Sequence, residues 1–188
     1  IKLLLSKDMH GLSEKDFSAV FDAAQNLGGQ NTERVNFLRK TERVGKFLTW
    51  VEGGLFYKQD GQPHTSAGHE IYAMDKYGNL ITMNPGLLFK PVTRTYAPNG
   101  TVQHNHSSLN AGGDVISAGE IEFQNGYITY IDNASGHYKP TAKQVQNCVY
   151  SLRMADDADL SRLQDIRVWH GNDWRTYNDA GLFLAARF

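Results

Sequence analysis

The chain has 188 residues, 40% of them hydrophobic and 21% charged, and its 19 basic and 20 acidic residues give a net charge of −1. This length predicts one domain with its own core, and the balanced charge argues against a protein that follows nucleic acid phosphates, so nucleic acid is not an expected partner. The lone Cys148 excludes an internal disulfide framework, and no apolar run approaches the ~20 residues of a membrane span, so no membrane contact is expected. The sequence begins at Ile1 rather than at Met, and we therefore expect a fragment of a longer protein.

The first 45 residues predict a helical arm on the domain. Ser13 is a suitable N-cap, and four apolar residues then recur at helical spacing, namely Phe17, Val20, Phe21 and Ala24. A shorter helix capped by Thr32 follows, with Val35 and Leu38 facing inward. We interpret residues 1–45 as a packing arm without chemistry of its own, and residues 46–188 as a single globular unit.

From about residue 47 the hydrophobic pattern changes to the two-residue period of strands. The candidate strands, separated by turn residues, are 47–50, 55–58, 70–75 and 79–83. Residues 84–105 contain several turn pairs with Pro or Gly, so we predict a long surface loop there.

The pair Asn125-Gly126 predicts a two-residue hairpin turn, because both central residues of a type I′ turn need positive φ. The turn sets a register in which the predicted pairs are Gln124 with Tyr127, Phe123 with Ile128, and Ile121 with Tyr130. This register gives the core face Ile121, Phe123, Ile128 and Tyr130. The opposite face then carries Glu120, Glu122, Thr129 and Ile131.

A helix is predicted directly after the hairpin, because Thr141 and Gln144 form a capping box. Its apolar stripe includes Cys148, so we expect a buried and inert thiol. Two closing strands are predicted at residues 166–169 and 182–185. The chain therefore predicts an α+β fold with an N-terminal helical arm, a mainly antiparallel sheet with a central hairpin, and one helix packed after it.

Two polar segments, 104–113 and 135–141, are expected to meet at the open end of the hairpin. They supply imidazole, hydroxyl and phenol groups from His106, His137, Ser107, Ser108 and Tyr138. An imidazole suits a general base, and the serine hydroxyls suit hydrogen bonds to phosphate or ribose. The alternative is structural, with the second segment holding the hairpin against the following helix and the serines capping a turn.

Strand alternation places Glu120 and Glu122 on one face, as paired carboxylates for acid–base chemistry require. ADP-ribosylating enzymes carry such a pair together with upstream serines and an arginine that hold NAD, and Arg94 or Arg43 could take the last role. The interval from Ser108 to Glu120 is shorter than in those enzymes. The alternative is a solvated strand face without chemistry.

Two other regions admit both a functional and a structural interpretation. The stretch 64–66 with His69 suits a nicotinamide ribose or a turn-forming loop, and we favour the loop. Trp169 and Trp174 suit a ring-binding site or the core, and we favour the core because tryptophan is usually largely buried. The histidines lack the spacing of a zinc site, so no metal is expected.

Several short segments carry a family resemblance, namely 55–58, 71–74, 106–113, 118–119, 125–126 and 135–141. On these segments, residues 52–141 resemble the domain found in the plant IQ-motif calmodulin-binding protein family. The resemblance implies a shared site at the two histidine motifs. The plant proteins bind calmodulin through an IQ helix outside this domain, and this chain has no basic IQ-like helix, so calmodulin is not an expected partner. The family pattern has a basic residue at the position of Glu120, which counts against a mechanism based on the carboxylate pair.

Similar segments also resemble bacterial secreted effectors and the C-terminal domains of polymorphic toxins. This second resemblance implies a protein that is secreted or delivered into a target cell. The leading hypothesis is an ADP-ribosyltransferase that acts on a macromolecule with NAD as its cofactor. In it, Glu120 or Glu122 stabilises the oxocarbenium-like centre, and the side chains that orient the dinucleotide are His106, Ser107, Ser108 and Tyr138.

Two alternatives remain open from the sequence. The first is a metal-independent ribonuclease toxin that uses His106 and His137 as acid and base. The second is a non-catalytic module that binds another protein. Across these hypotheses the expected partner is a target protein or an immunity protein.

Overall fold

An eight-stranded sheet forms the body of the described chain. The computed structural model describes residues 33–35, 38, 40–84, 89–94 and 97–188, and for 33–35, 89–94 and 97–103 it describes the backbone alone. The helix predicted at Ser13 lies outside these residues, and the division of the chain at residue 45 stays a prediction.

Strands outnumber helices in the described ranges. The strands are β1 (Glu33–Val35), β2 (Leu48–Glu52), β3 (Leu55–Tyr57), β4 (Glu70–Asp75), β5 (Leu80–Met83), β6 (Phe89–Arg94), β7 (Ala97–Gln103), β8 (Val115–Gln124), β9 (Tyr127–Asp132), β10 (Asp165–Trp169) and β11 (Trp174–Tyr177). The helices are α1 (Lys40–Glu42), which continues into a π-helical segment (Arg43–Phe47), then α2 (His106–Leu109), α3 (Ala142–Met154) and α4 (Ala180–Ala185). None of the helices in the described part of the chain has the length and apolar character to cross a bilayer.

The large sheet confirms the predicted α+β class. Its strand order is β11-β10-β9-β8-β4-β5-β2-β3. Neighbouring strands are antiparallel except β9 and β10, which are parallel. The parallel pair requires a crossover, and α3 lies in that crossover.

Two of the local predictions are wrong. Residues 84–105 contain the antiparallel strands β6 and β7 rather than only a loop. Pro91 fits there because β6 lies at an edge of the three-stranded sheet β1-β7-β6 as described, where a missing N–H costs little. The short helix predicted after Thr32 is instead strand β1, because parallel pairing with β7 overrides the local pattern.

The sheet buries a different set of apolar side chains on each face, because alternate residues of each strand point to opposite sides. On β4, Tyr72 packs into the main core beneath α3, whereas Ile71 packs into a second core with Leu38 and Leu109. Cys148 lies fully buried in the main core, and burial raises the pKa of its thiol to about 12. The burial predicted for this thiol is therefore confirmed.

A β-bulge at Thr129 changes the hairpin register from the predicted one. Gln124 pairs with Tyr127 and Phe123 with Ile128 as predicted, but Glu122 then pairs with Tyr130. The extra residue turns Tyr130 away from the main core and brings Ile131 into it, opposite Ile121. The prediction of Ile121 opposite Tyr130 is wrong, because a one-residue shift exchanges the two faces of a strand.

Asp132, at the end of β9, makes hydrogen bonds with groups on strands β4, β8 and β9. Its carbonyl accepts a hydrogen bond from the Tyr72 hydroxyl at 3.0 Å, and its Oδ2 accepts one from Tyr130 at 2.6 Å. Its Oδ1 accepts the N–H groups of Glu120 at 2.6 Å and Ala134 at 2.9 Å. Gly119 permits this approach, because an added Cβ would collide with the Asp132 carbonyl and lie 2.7 Å from its Oδ1.

The last predicted strand is also wrong. Residues 182–185 belong to α4, and the closing strand is β11, at residues 174–177. Asp179 caps the helix by accepting the N–H of Leu182 at 2.8 Å. A sequence signal for this helix was present, because aspartate is a preferred N-cap.

We expect Gly119→Ala to destabilise the fold by about 3 kcal/mol, because the new methyl group meets backbone that cannot move aside without breaking the bonds of Asp132. Urea denaturation followed by circular dichroism measures this. Gly45→Ala is the matched control, because its added methyl group has no neighbour within 4 Å, and its cost is expected within about 0.5 kcal/mol. Equal stability of the two variants would contradict the role of Gly119.

The Asp132 carboxyl predicts a specific pH dependence of stability. Burial raises its pKa above the ordinary value of 3.8, so the folded state keeps this proton to higher pH than the unfolded state does. The free energy of unfolding should therefore fall as pH rises from about 4 through the raised pKa. Asp132→Asn removes this titration and keeps the Oδ1 acceptor. We expect the free energy of unfolding of the variant, minus that of the parent, to rise between pH 3 and pH 7 when both are measured by urea denaturation. Parallel stability curves for the two proteins would contradict the assignment of this titration to Asp132.

Candidate functional site

The two polar segments predicted to converge do meet in the structure. The Tyr138 hydroxyl donates a hydrogen bond to the Gly113 carbonyl at 2.9 Å. The Nε2–H of His106 donates to the Gly119 carbonyl at 3.0 Å. His137 is exposed and close enough to His106 for its charge to affect the His106 pKa.

The His106 imidazole is held in a mixed environment. Burial lowers its pKa below the ordinary value of 6.5, and the charge of His137 acts in the same direction. The hydrogen bond to Gly119 and the carboxylates of Asp132 and Glu120 oppose that effect. His106 is therefore mainly neutral at pH 7, with one ring nitrogen already engaged by backbone.

The two serines of the first segment are used inside the fold. Ser108 Oγ accepts the N–H of Asn105 at 2.9 Å, and Ser107 Oγ donates to the Asn105 side chain at 2.6 Å. Both side chains are buried, and together with Asn105 they begin helix α2. These contacts favour the structural interpretation of the serines, and the ligand-binding roles predicted for them and for Tyr138 stay predictions.

Glu120 and Glu122 lie on one face of β8, as strand alternation requires. His69, which precedes β4, contacts Glu120 Oε2 through Nδ1 at 3.0 Å and Glu122 Oε2 through Nε2 at 3.5 Å. Its ring stacks on Tyr130, with 4.0 Å between the centroids. The interpretation of residues 64–66 and His69 as a loop did not predict this contact. Two-residue alternation back from Ile71 would have placed His69 on the same strand face, and this was the available sequence signal.

The same sheet face continues across β9 to β11, and we call it the polar face. It carries His69, Glu120, Glu122, Tyr130, Arg167, Trp169 and Trp174. Two arginines, Arg43 and Arg94, were considered for binding NAD. Arg43 is buried and donates to the Leu38 carbonyl at 2.8 Å, and the Arg94 side chain lies outside the described residues.

The tryptophans on β10 and β11 are exposed, so their predicted burial in the core is wrong. Trp169 is 40% exposed and Trp174 52% exposed, and their rings pack 5.7 Å apart. The reason is strand alternation, because Ile166 and Val168 fill the main core and leave Trp169 on the polar face.

Two adjoining cavities, which we call the tryptophan groove, lie beside these rings. Their volumes are about 650 and 530 Å³, and they share Lys139, Pro140 and Trp169. The larger cavity is further lined by residues that include Lys143, His170, Arg175, Tyr177, Arg187 and Phe188. The smaller is further lined by 133–136 and Trp174. The second predicted segment, 135–141, therefore contributes lining residues to both cavities, and His106 lines neither of them.

A buried hydrogen-bonded chain is the other cluster that sequence reasoning missed. His64 contacts Glu70 Oε2 through Nε2 at 3.0 Å and Thr49 Oγ1 through Nδ1 at 3.3 Å. All three residues are at least 95% buried. Of the residues with described side chains, no group of three or more His, Cys, Asp or Glu is placed to hold a metal ion.

Comparison with known proteins assigns the chain to a family. The family model described as "IQ motif-containing protein middle domain" matches residues 46–145. The IQ domain-containing protein IQM2 of Arabidopsis thaliana is 27% identical over 127 residues, which cover 68% of this chain and 20% of that protein. The chain thus spans about a fifth of the length of this relative, and no solved structure matches it.

These matches bear on both resemblances seen in the sequence. The plant resemblance is confirmed, whereas the description as a secreted toxin or ADP-ribosyltransferase is wrong, because the family match points to IQ-motif proteins instead. These matches do not test NAD as a cofactor, which stays a prediction. Since the family model covers more than half of the sequence, the chain belongs to the family of IQ motif-containing protein middle domains.

Proposed function

We propose that this chain is a non-catalytic protein-binding module and that the tryptophan groove receives an acidic segment of its partner. The observation that carries the proposal is the pair of exposed tryptophans, Trp169 and Trp174, beside cavities of about 650 and 530 Å³. Large aromatic side chains left exposed next to concave surface are typical of the residues that dominate the binding energy of protein interfaces.

The charges around the groove select the chemistry of the partner. Four cationic side chains line the cavities, namely Lys139, Lys143, Arg175 and Arg187. No aspartate or glutamate is among the lining residues of the described chain, although Asp173 pairs with Arg175 from outside the groove. A segment with several carboxylates and one apolar anchor is complementary to this combination of cations and indole rings.

The groove is held in shape by Asn133. Its amide donates to the carbonyls of Pro140 at 2.7 Å and Trp169 at 3.1 Å, and its Oδ1 accepts the Trp169 N–H at 2.7 Å. These bonds join the loop after β9 to strand β10, so both walls of the smaller cavity are fixed relative to one another. A preformed surface loses less conformational freedom on binding, which favours affinity.

A protein is a better match than a nucleic acid for this surface. Glu120, Glu122 and Asp165 lie on the same polar face of the sheet as Trp169, and they would repel an extended polyphosphate that follows this face. Calmodulin is not part of the proposal, because the groove is a concave surface and not a basic helix. The family match ends at residue 145, so it covers the half of the groove lining that lies in 133–143 and does not include Trp169 or Trp174.

We expect Trp169→Ala and Trp174→Ala each to weaken binding of a short synthetic peptide, built of aspartates and glutamates around one phenylalanine, by about 2 kcal/mol, or roughly thirtyfold. Isothermal titration calorimetry measures this. Tyr150→Ala is the matched control, because Tyr150 is 57% exposed and does not line the groove. Equal loss in all three variants, or peptide binding by none of the proteins including the parent, would contradict the proposal.

The cations predict a dependence on charge and salt. We expect Lys139→Glu to weaken the same peptide about tenfold and to reduce the effect of added salt on affinity, because Lys139 lines both cavities. Lys76→Glu, in the turn after β4, is the control for net charge. A single-stranded oligonucleotide bound more tightly than the peptide would show that the groove serves a nucleic acid instead.

A further inference from the structure

We propose that a small cavity on the opposite part of the sheet binds a tetrahedral oxyanion such as phosphate. The cavity has a volume of about 120 Å³ and lies where β2, the π-helical segment and the end of β5 meet. Its lining residues include Lys46, Lys58, Thr49, His64, Glu70, Thr82 and Asn84. It is separate from the tryptophan groove and shares no lining residue with it.

The lining is unusually rich in hydrogen-bond donors. Thr49 Oγ1 lies 3.2 Å from Thr82 Oγ1 and 3.3 Å from His64 Nδ1, so the two hydroxyls and the ring form one connected chain. Thr49 and Thr82 are each 5% exposed. Both hydroxyls can rotate, so the chain can turn one hydroxyl proton toward an acceptor in the cavity while the other joins the two threonines.

Cations outnumber carboxylates in the lining of the cavity. Lys46 and Lys58 contribute two positive charges, and Glu70 is the one acidic residue among the lining residues. The Glu70 carboxyl already contacts His64 Nε2 at 3.0 Å. The Lys58 ammonium is positioned by donating to the Thr65 carbonyl at 3.0 Å, which leaves it two further protons to donate.

The donors are held rigidly by the loop that carries His64. The His64 ring stacks on Phe123 with 3.9 Å between centroids and an angle of 7° between planes. The backbone N–H of His64 donates to the Phe56 carbonyl at 2.8 Å, and its carbonyl accepts the N–H of Gly126 at 2.8 Å. A buried polar chain is costly to desolvate, so a fixed one that opens on a positively charged cavity points to a ligand.

The size of the cavity limits the ligand. At about 30 Å³ per water molecule, it has room for roughly four waters, which is the space that one tetrahedral oxyanion with a water needs. Lys46 is exposed, so the cavity reaches solvent beside it. A larger ligand could enter only through a phosphate group, with the remainder outside.

The test uses calorimetric titration with inorganic phosphate and, separately, O-phosphoserine at constant ionic strength. We expect saturable binding of inorganic phosphate by the parent protein and at least tenfold weaker binding by Thr49→Val and by the double variant Lys46→Met with Lys58→Met. Thr49→Val keeps the side-chain volume, and the lysine variant changes partly or fully solvated side chains, so at least one of them should fold. Thr129→Val and Lys76→Met are the matched controls, because neither residue lines the cavity.

Two outcomes overturn the site, namely no saturable binding of either ligand, or equal weakening by the cavity variants and their controls. Binding of inorganic phosphate alone assigns the cavity to the free ion. Comparable binding of O-phosphoserine assigns it to a phosphate ester, and either result supports the oxyanion site. Because the tryptophan groove plays no part in this titration, its result is independent of the proposed function.

Discussion

The close contact between Gly119 and Asp132 is the constraint on which the sheet and its polar face depend. The carbonyl of Asp132 accepts the Tyr72 hydroxyl from the main core, and its carboxyl accepts the Glu120 N–H and the Tyr130 hydroxyl. These bonds join β4, β8 and β9 at one point. They form only because glycine leaves room for the Asp132 backbone and because the bulge at Thr129 moves the end of β9 by one residue. The same shift places Tyr130 on the face that carries His69 and Ile131 in the main core. The bulge therefore determines which residues of β9 lie on each face.

The motifs that link this chain to its family serve mainly to hold the fold together. Ser107 and Ser108 begin helix α2, Gly119 makes room for Asp132, and Tyr138 ties the loop after β9 to Gly113. The family match ends at residue 145, whereas Trp169, Trp174 and two of the four groove cations lie beyond it. The matched scaffold therefore supplies about half of the groove lining. This division agrees with the general observation that folds are reused while binding sites vary.

Two buried polar side chains beside the described cavities, His64 and Asn133, have hydrogen-bond partners on more than one part of the fold. His64 depends on Glu70 from β4 and Thr49 from β2, with Phe123 of β8 beneath its ring. Burying an imidazole beside an unpaired polar group would cost free energy of folding. His64, Glu70 and Thr49 are therefore buried together with their hydrogen bonds formed. The same reasoning applies to Asn133, whose bonds to Pro140 and Trp169 close one side of the groove. In both places the polar network lies against a cavity, and it gives that cavity a fixed shape.

The sequence by itself determined the α+β class, the Asn125-Gly126 turn, the capping box of α3 and the buried thiol of Cys148, because each depends on neighbours within a few residues. It also predicted that segments 104–113 and 135–141 meet, as the Tyr138–Gly113 hydrogen bond shows, since a hairpin joins its own two ends. Only the tertiary structure decided the rest. The contact of His69 with Glu120 joins residues 51 positions apart and that of His64 with Thr49 residues 15 apart, and no local pattern pairs them. The bulge at Thr129 is the clearest case, because a single extra residue exchanges the two faces of β9 beyond it while leaving the alternating sequence unchanged.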